Sequence, residues 1–243
     1  MIIFYLRRWG VDVIKELTFK PEAIVKLLKE KGEKVNFQKG EYVFHPGDTA
    51  RYVYCLDEGE IFISRMQEDG REMITNYLTD GAIFGALALH SVNKEHTTYA
   101  KVKKYCTLYK YEKRQFEQFI FTNEAIKMEW LLWLDIDRDR NSSKMRDMLL
   151  YGKQGALQSV LIRLTNSFGV EAEEGILIDT QLTNQELAGL CGTSREVINR
   201  MLSDLKKQEV IKVERKYITV LDINALRRNI NCDRCTIDVC QIF

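Results

Sequence analysis

The stretch LTNQELAGLCGTSREVINRMLSDL, Leu182 to Leu205, has the pattern of two short helices joined by a tight turn. Thr183 is followed three residues later by Glu186, and Thr193 is followed three residues later by Glu196. Each pair predicts a capping box, in which a hydroxyl and a carboxylate satisfy the free backbone amides of a helix's first turn. Two helix starts this close together leave room for one short helix between them. The sequence therefore predicts a helix-turn-helix.

The second predicted helix has one apolar and one polar face. Its apolar residues recur at helical spacing and are expected to face the core: Val197, Ile198, Met201, Leu202 and Leu205. Its polar face carries Arg195, Glu196, Asn199 and Arg200. In a major groove, Arg pairs with guanine, Glu accepts from the cytosine amino group and Asn pairs with adenine. The four side chains lie in the first two turns, where recognition helices touch bases, so they predict DNA reading; the alternative is a merely solvated surface.

A hairpin is predicted directly after the second helix. Val210–Val213 and Tyr217–Val220 are apolar or alternating runs on either side of a charged turn at 214–216, which is the pattern of a wing. The net charge is only +1, so no bulk positive charge would attract nucleic acid. Affinity for DNA would have to come from local cations, namely Lys206, Lys207, Lys212, Arg215, Lys216, Arg227 and Arg228.

The length of 243 residues fits two modest domains, and nothing in the composition indicates disorder or repeats. The opening MIIFYL has Arg7 and Arg8 after its apolar run and no cleavage site, so it is predicted to be neither a signal peptide nor a membrane span. A cytoplasmic protein is therefore expected. In that setting the six cysteines favour free thiols, metal ligands or redox chemistry over disulfides.

Upstream of the helix-turn-helix the pattern changes twice. Residues before about 36 are predicted to be helical, with Ile24, Leu27 and Leu28 as the clearest apolar set. From Phe37, short Val-, Ile- and aromatic-rich runs alternate with turn signals roughly every 11 to 12 residues, which predicts an antiparallel sandwich or roll ending near Tyr109. A short helix is expected from Glu112 to Phe121.

A long helix is predicted to open at Asn123 and to stop at Gly152, with 152–155 as a hinge. Its large apolar residues lie at both ends, around a charged middle: Ile126, Trp130, Leu131, Trp133, Leu134, Met145, Met148 and Leu149. This favours a dimer seam, although a solvated helix packed at its ends on two domains has the same pattern. The expected fold is α+β. It consists of a helical segment (1–36), a β-roll (37–122), a dimerisation helix (123–152), a winged helix-turn-helix (153–223) and a cysteine-containing tail (224–243).

The C-terminal tail carries Cys232, Cys235 and Cys240 in a C-x2-C-x4-C pattern. A two-residue gap lets two thiolates take adjacent corners of one metal centre, but three cysteines cannot complete a four-ligand site. The spacing leaves open an iron–sulfur cluster, a structural zinc ion and a thiol switch in which Cys232 and Cys235 form a disulfide. On proximity alone, Asp233 and Asp238 are candidate fourth ligands. The other cysteines, Cys55, Cys106 and Cys191, are predicted to be small buried hydrophobes.

The β-roll, the long helix and a winged helix with SREVINRML together resemble the Crp/Fnr superfamily of transcription regulators. Within it, MRDMLLYGKQGALQSVLIRLTNSFGV at 145–170 and the C-terminal cysteines are similar to the Bacillus-type Fnr proteins, which sense oxygen. Members that bind cyclic nucleotides carry Gly-Glu-Leu and Arg-Ser, whereas this chain has Gly85-Ala86-Leu87 and His96-Thr97. The arginine that would neutralise a phosphate is missing, so no cyclic nucleotide is expected.

The resemblance implies an oxygen-responsive activator of anaerobic genes whose [4Fe-4S] cluster is held by three tail cysteines and by Asp147. It also implies a homodimer on a palindromic TGTGA-like operator and contact with RNA polymerase. Arg195, Glu196 and Arg200 would read bases, while Thr183, Gln185 and Ser194 would position the backbone. The competing hypothesis is a regulator gated by a small molecule in the β-roll. No enzyme is expected, because nucleophile, base and orienting group are not suggested together and His45, His90 and His96 form no metal-spaced pair.

Overall fold

The computed structural model describes residues 19–87, 95–232 and 235–242. The predictions for MIIFYL, Arg7, Arg8, His90 and Asp233 lie outside these residues. The elements in chain order are α1 (Glu22–Lys31), β1 (Glu33–Phe37), β2 (Tyr42–Phe44), β3 (Tyr52–Met66), β4 (Glu72–Leu78), β5 (Ile83–Gly85), β6 (Tyr99–Glu112), α2 (Lys113–Thr122), α3 (Glu124–Phe168), β7 (Gly169–Ala172), β8 (Gly175–Ile178), α4 (Asn184–Leu190), α5 (Arg195–Lys207), β9 (Ile211–Glu214), β10 (Tyr217–Val220) and α6 (Ile223–Asn229).

Strands β1 to β6 form the predicted antiparallel roll. Its order is β1-β6-β3-β4, with β2 on β6 and β5 on β3. The sheet begins at Glu33, earlier than the expected Phe37, and β6 runs past Tyr109 to Glu112. Both extensions have one cause, because Glu33–Phe37 pairs with β6 between Cys106 and Lys110. The backbone hydrogen bonds of this pairing form a strand even though its residues do not alternate between apolar and polar.

Aromatic rings fill the interior of the roll. The rings of Phe44 and His96 stack with centroids 3.6 Å apart, and those of Tyr54 and Phe84 stack at 5.2 Å. His96 is 8% exposed, and burial lowers its pKa, so the residue in place of the phosphate-binding arginine is a neutral core histidine. The roll therefore carries no fixed cation at that position.

Helix α3 begins as predicted, because the Asn123 side chain accepts hydrogen bonds from the amides of Ala125 (3.0 Å) and Ile126 (3.2 Å). The predicted interruption at Gly152 is confirmed, as is the helix expected from Leu157 to Phe168. Gly152 is non-helical (φ 59°, ψ −157°), yet the helix resumes at once and ends at Phe168. The hinge is thus one residue rather than residues 152–155. The helix resumes because 155–165 are buried in the core of the C-terminal domain, and this packing stabilises them as helix.

The large apolar residues of α3 divide between two environments, so only part of the predicted set is free to form a dimer seam. Ile126 and Trp130 pack with α1 and α2 in the core beside the roll. Others are exposed, and together we call them the apolar face of α3: Met128 (54%), Leu131 (52%), Leu132 (48%), Leu134 (39%), Met145 (60%), Leu149 (73%) and Leu150 (68%). Sequence periodicity did not separate the two sets, since both recur at helical spacing.

The C-terminal domain combines α4, α5, α6 and the second part of α3 with a four-stranded sheet in the order β7-β8-β10-β9. The predicted wing is confirmed as β9 and β10. The β7–β8 hairpin and α6 were not predicted. Every residue of β7 is exposed, so it carries no alternating apolar signal, and α6 straddles the expected boundary at residues 223 and 224. Helix α6 packs against α3 and thereby brings the tail to the long helix.

Candidate nucleic-acid interface and candidate metal centre

The first helix of the helix-turn-helix has the predicted capping box. The Thr183 hydroxyl accepts from the Glu186 amide at 3.1 Å, and the Glu186 carboxylate accepts from the Thr183 amide at 2.6 Å. Both Thr183 and Gln185 are exposed at the start of α4. This end of α4 is therefore rigid and accessible to a partner.

The predicted second capping box, between Thr193 and Glu196, is wrong. Helix α5 begins after Ser194, whose hydroxyl accepts from the Val197 amide at 3.5 Å. The Thr193 hydroxyl is buried and has no hydrogen-bond partner among the described residues. Gly192 turns the chain with φ 61°, so Ser194 and not Thr193 reaches the capping position.

The predicted base-reading face of α5 is exposed along its first two turns. Arg195, Glu196, Asn199 and Arg200 face outward, whereas Ile198, Leu202 and Leu205 are buried. Hydrogen bonds from its own backbone amide and from Ser194 lower the pKa of Glu196, so its carboxylate is ionised and accepts. The Asn199 side chain accepts a hydrogen bond from Asn184 where the two helices cross. One polar atom of Asn199 is thereby already engaged within the motif.

The cations around this face are not equally available. Lys206, Lys207, Arg215 and Lys216 are exposed, the last two at the tip of the wing with φ 47° and 72°. Lys212, by contrast, lies 2.8 Å from Glu174 and 3.4 Å from Glu214, and Arg228 lies 3.3 Å from Asp222. The acidic turn of the unpredicted β7–β8 hairpin supplies Glu174. Lys212 and Arg228 therefore contribute less positive field than the sequence suggests.

The tail cysteines and Asp147 line one small pocket. Cys232, Cys235, Cys240 and Asp147 share it with Ser143, Arg146, Ser159, Ile162, Arg163 and Ile230. The structure thus brings together all four residues predicted as ligands, from α3 and from the C-terminus. Asp238 does not line this pocket, because its carboxylate accepts from the backbone amide of Phe19 at 2.7 Å.

Asp147 is only 2% exposed, and its two carboxylate oxygens have separate partners. Arg146 donates to Oδ1 at 2.7 and 3.0 Å. Ser159 donates to Oδ2 at 2.5 Å, and Arg163 donates to the same oxygen at 3.4 Å. Two guanidinium groups therefore balance this buried carboxylate.

Arg163 anchors the tail and was missed by sequence reasoning. It is 1% exposed and donates to the backbone oxygens of Val239 (2.7 Å) and Gln241 (3.4 Å) and to the Ser143 hydroxyl (2.8 Å). The available signal was a lone charge within the apolar run Val160–Leu164. A buried arginine needs many acceptors, and here the tail supplies them as backbone carbonyls.

Further contacts hold the tail on both sides of Gly152. Arg140 donates to the backbone oxygen of Asp238 at 2.7 Å, and Asn166 donates to the backbone oxygen of Cys240 at 2.7 Å. Arg140 precedes the interruption in α3, and Asn166 follows it. The docked tail therefore bridges the two parts of the long helix.

Neighbouring groups shift the tail thiols in opposite directions. A hydrogen bond from Cys240, together with the nearby Arg163 and Arg146, lowers the pKa of Cys235. The hydrogen bond to Cys235 and burial raise the pKa of Cys240. Cys235 is thus the readier thiolate of the two.

The remaining three cysteines are buried, as predicted, and do not line this pocket. Burial raises the pKa of both Cys55 and Cys106 to about 11, and it raises that of Cys191 further. They are therefore held as neutral thiols within the protein core.

Comparisons with known proteins agree with this architecture. A cyclic nucleotide-binding domain model matches residues 34–123, and a Crp-like helix-turn-helix domain model matches residues 156–229. The chain is 36% identical over 220 residues to the anaerobic regulatory protein of Bacillus subtilis (strain 168), covering 90% of this chain and 92% of that protein. The chain belongs to the Crp/Fnr family of transcription regulators. As a Crp/Fnr regulator it binds DNA, and its relatives are regulators rather than enzymes, as the sequence predicted.

Two further proteins are similar to this chain. The global nitrogen regulator of Nostoc sp. (strain PCC 7120) is 33% identical over 76% of this chain and 83% of its own. The solved c-di-GMP responsive global regulator CLP of Xanthomonas campestris superposes with a TM-score of 0.72 at 19% identity, covering 83% of this chain and 99% of CLP. That likeness supports the fold alone. No helix within the described ranges of this Crp/Fnr chain is both long and apolar enough to span a bilayer.

Proposed function

We propose that this Crp/Fnr regulator senses oxygen through a [4Fe-4S] cluster held by Cys232, Cys235, Cys240 and Asp147, and that the intact cluster favours operator binding. One observation carries the proposal: the three tail thiols and a buried carboxylate of α3 line a single pocket. Thiolates are the usual ligands of iron–sulfur clusters.

A cluster and a single metal ion require different ligand arrangements. Among the residues that the structure describes, no three His, Cys, Asp or Glu side chains are gathered closely enough to hold one metal ion. Zinc needs its ligands about 2.0–2.3 Å from a single point, whereas a cubane takes each ligand on a different iron. The four donor side chains also lie beside two cations, Arg146 and Arg163.

The carboxylate suits a sensing role. An oxygen ligand is harder than a thiolate and should hold cluster iron less firmly. Asp147 also has Arg146 and Ser159 as ready partners for its two oxygens, which would stabilise the carboxylate once it is released. This corner of the cluster would therefore open most easily.

The tail provides a route from the pocket to the DNA-binding domain. Tail residues contact Arg140 before Gly152 and Arg163 and Asn166 after it. Releasing the tail would remove its bridge across Gly152, the joint between the roll and the recognition helices. The name of the Bacillus subtilis relative, anaerobic regulatory protein, supports a regulator of anaerobic genes. We propose further that the protein acts in the cytoplasm as an activator that contacts RNA polymerase.

The apolar face of α3 supports a homodimer. The face consists of seven large apolar side chains that are exposed in the described structure. Exposed apolar patches of this kind mark protein interfaces. Pairing two α3 helices would place two copies of α5 about one DNA turn, roughly 34 Å, apart, matching a palindromic TGTGA-like operator.

Introducing charge on this face should break the dimer. Met145→Glu buries an unpaired carboxylate in the interface, and we expect a monomer at concentrations where the wild type is dimeric. Met66→Glu on the roll, at a similarly exposed methionine, is the matched control and should stay dimeric. Sedimentation equilibrium measures both, and a dimeric Met145→Glu variant would place the interface elsewhere.

Removing a base-reading side chain should relax sequence specificity. We expect Arg200→Ala to lose about 1–3 kcal/mol of operator affinity and to lose discrimination at one base pair. Lys207→Ala, beyond the base-reading turns, should weaken all sequences alike and lower the salt slope by about one. Binding assays on operator and scrambled DNA separate the two effects. If Arg200→Ala loses the same affinity for operator and for scrambled DNA, Arg200 does not read bases.

Metal analysis of anaerobically purified protein tests the cluster. The proposal expects about four irons and four sulfides per chain, with a broad visible absorbance that is lost in Asp147→Ala. One zinc per chain would make the tail a structural clip. A metal-free protein with an air-induced disulfide would make it a thiol switch.

A further inference from the structure

The roll and the helix-turn-helix share a contact surface outside the cysteine pocket. Strand β4 packs against helix α4, and one hydrophobic core contains Ile74 and Tyr77 of β4 together with Leu187 and Ala188 of α4. Ile74 is 4% exposed and Tyr77 is fully buried. The first helix of the DNA-binding motif is therefore docked on the sensor-like domain.

The docking depends on a glycine. A Cβ atom at Gly189 would lie 2.9 Å from Cγ1 and Cδ1 of Ile74 and 3.4 Å from the Glu72 backbone oxygen. Any larger side chain must push α4 away from β4 or displace Ile74. A glycine in the middle of a helix lowers the stability of that helix. The close approach of α4 to β4 explains why a glycine is nevertheless present at position 189.

A polar cluster lies at the centre of this surface. Lys103 donates to Glu60 (2.6 Å), to the Tyr77 hydroxyl (2.6 Å) and to the Thr180 hydroxyl (3.2 Å). Tyr77 gives its only proton to Glu60 at 2.5 Å, so the 2.9 Å bond between the two hydroxyls has Thr180 as donor. All three ammonium protons of Lys103 are used only when Thr180 is in place. Glu60, Tyr77 and Lys103 come from the roll, and Thr180 comes from the segment leading into α4.

The same strand is connected to the tail. Lys144 of α3 donates to the Thr75 backbone oxygen of β4 (3.4 Å) and to the Ile242 backbone oxygen (3.2 Å). One ammonium group thus joins the last described tail residue to the strand on which α4 is docked. Tail docking and α4 docking occur together in one conformation.

We propose that β4 and α4 form an interdomain latch, closed while the tail is docked, which fixes the orientation of α5 and thereby supports operator binding. The latch consists of Ile74, Tyr77, Lys103, Glu60, Thr180 and Gly189. Its direction rests on the proposed function, in which the docked tail is the operator-binding state. Because coupling between sites is reciprocal, opening the latch should also loosen the tail.

The test combines a clash with its relief. Gly189→Ala should weaken operator binding about fivefold or more, and the double variant Gly189→Ala with Ile74→Ala, which removes the clashing atoms, should recover it. Thr180→Val removes the interdomain hydroxyl with little change of shape and should also weaken operator binding. Thr122→Val, at the end of α2, is the matched control, because its hydroxyl donates only within its own helix.

Hydrogen exchange of the same variants supplies a second readout that does not require a cluster. The latch predicts faster exchange of the β4 and α4 amides in Gly189→Ala and Thr180→Val, while scrambled DNA is bound as by wild type. Operator affinity within about twofold of wild type in both variants, or no rescue by Ile74→Ala, would overturn the latch. Iron analysis is read separately, so a protein without iron refutes the cluster while exchange and operator binding still decide the latch.

Discussion

Arg163→Met is expected to lower the free energy of unfolding by about 3–5 kcal/mol, because removing one partner of a buried charge pair leaves the other uncompensated. The substitution keeps most of the apolar stem but removes donors to Ser143, Val239 and Gln241. Arg146 still holds Asp147, so the lower end of the range is expected. Urea unfolding monitored by circular dichroism measures the change.

Arg138→Met is the matched control for this substitution. Arg138 lies on the same helix, but its side chain is 70% exposed and, among the residues that the structure describes, pairs with Asp135 and Asp139 alone. Its replacement should change stability by no more than about 0.5 kcal/mol. Arg163→Met should also speed the labelling of Cys240 by a thiol reagent in the folded protein, since the tail loses its anchor. Wild-type stability together with wild-type labelling would show that Arg163 does not hold the tail.

A second large effect is expected from the tail cysteines, because replacing any one of them by Ala should abolish the cluster. Cys232→Ala, Cys235→Ala and Cys240→Ala each remove a thiolate from a site with no spare cysteine, because the other three lie in the protein core. Iron content and visible absorbance should fall close to zero, and operator binding should become insensitive to air. Cys232→Ala and Cys235→Ala should remain folded, since both side chains are partly exposed.

Cys55→Ala separates loss of a ligand from a general effect of losing a thiol. Cys55 is fully buried in β3, so this variant should lose some stability to the small cavity but keep its iron. Iron loss in Cys55→Ala as in the tail variants, or full iron retention in Cys240→Ala, would contradict the proposed ligand set.

Much of the fold could be predicted because local signals agreed with the tertiary structure. Thr183 and Glu186 form their capping box, Gly192 turns the chain, and the alternating runs after α5 form the wing. The errors arose where a neighbouring element decides the outcome. Thr193 has the chemistry of a cap, but the turn geometry gives that position to Ser194. Gly152 interrupts the helix as expected, but core packing restarts the helix directly after it, so the predicted hinge at 152–155 is too long.

The candidate metal centre could be predicted only in part. The C-x2-C-x4-C spacing identified three thiols, whereas Asp147 followed from a family resemblance. The structure adds that Asp147 lines the same pocket as the thiols. Arg163 was not foreseen, because the carbonyls of Val239 and Gln241 that it contacts carry no residue-type signal. The β4–α4 surface is equally invisible in the sequence, since Gly189 matters only against Ile74.

The most direct test follows visible absorbance and operator binding in one anaerobic sample as air is admitted stepwise. The account predicts that about four irons per chain are present at the start, and that the absorbance and the fraction of operator bound fall together. Asp147→Ala should begin without absorbance and bind the operator weakly throughout. A colourless protein that binds its operator equally before and after air would contradict the account.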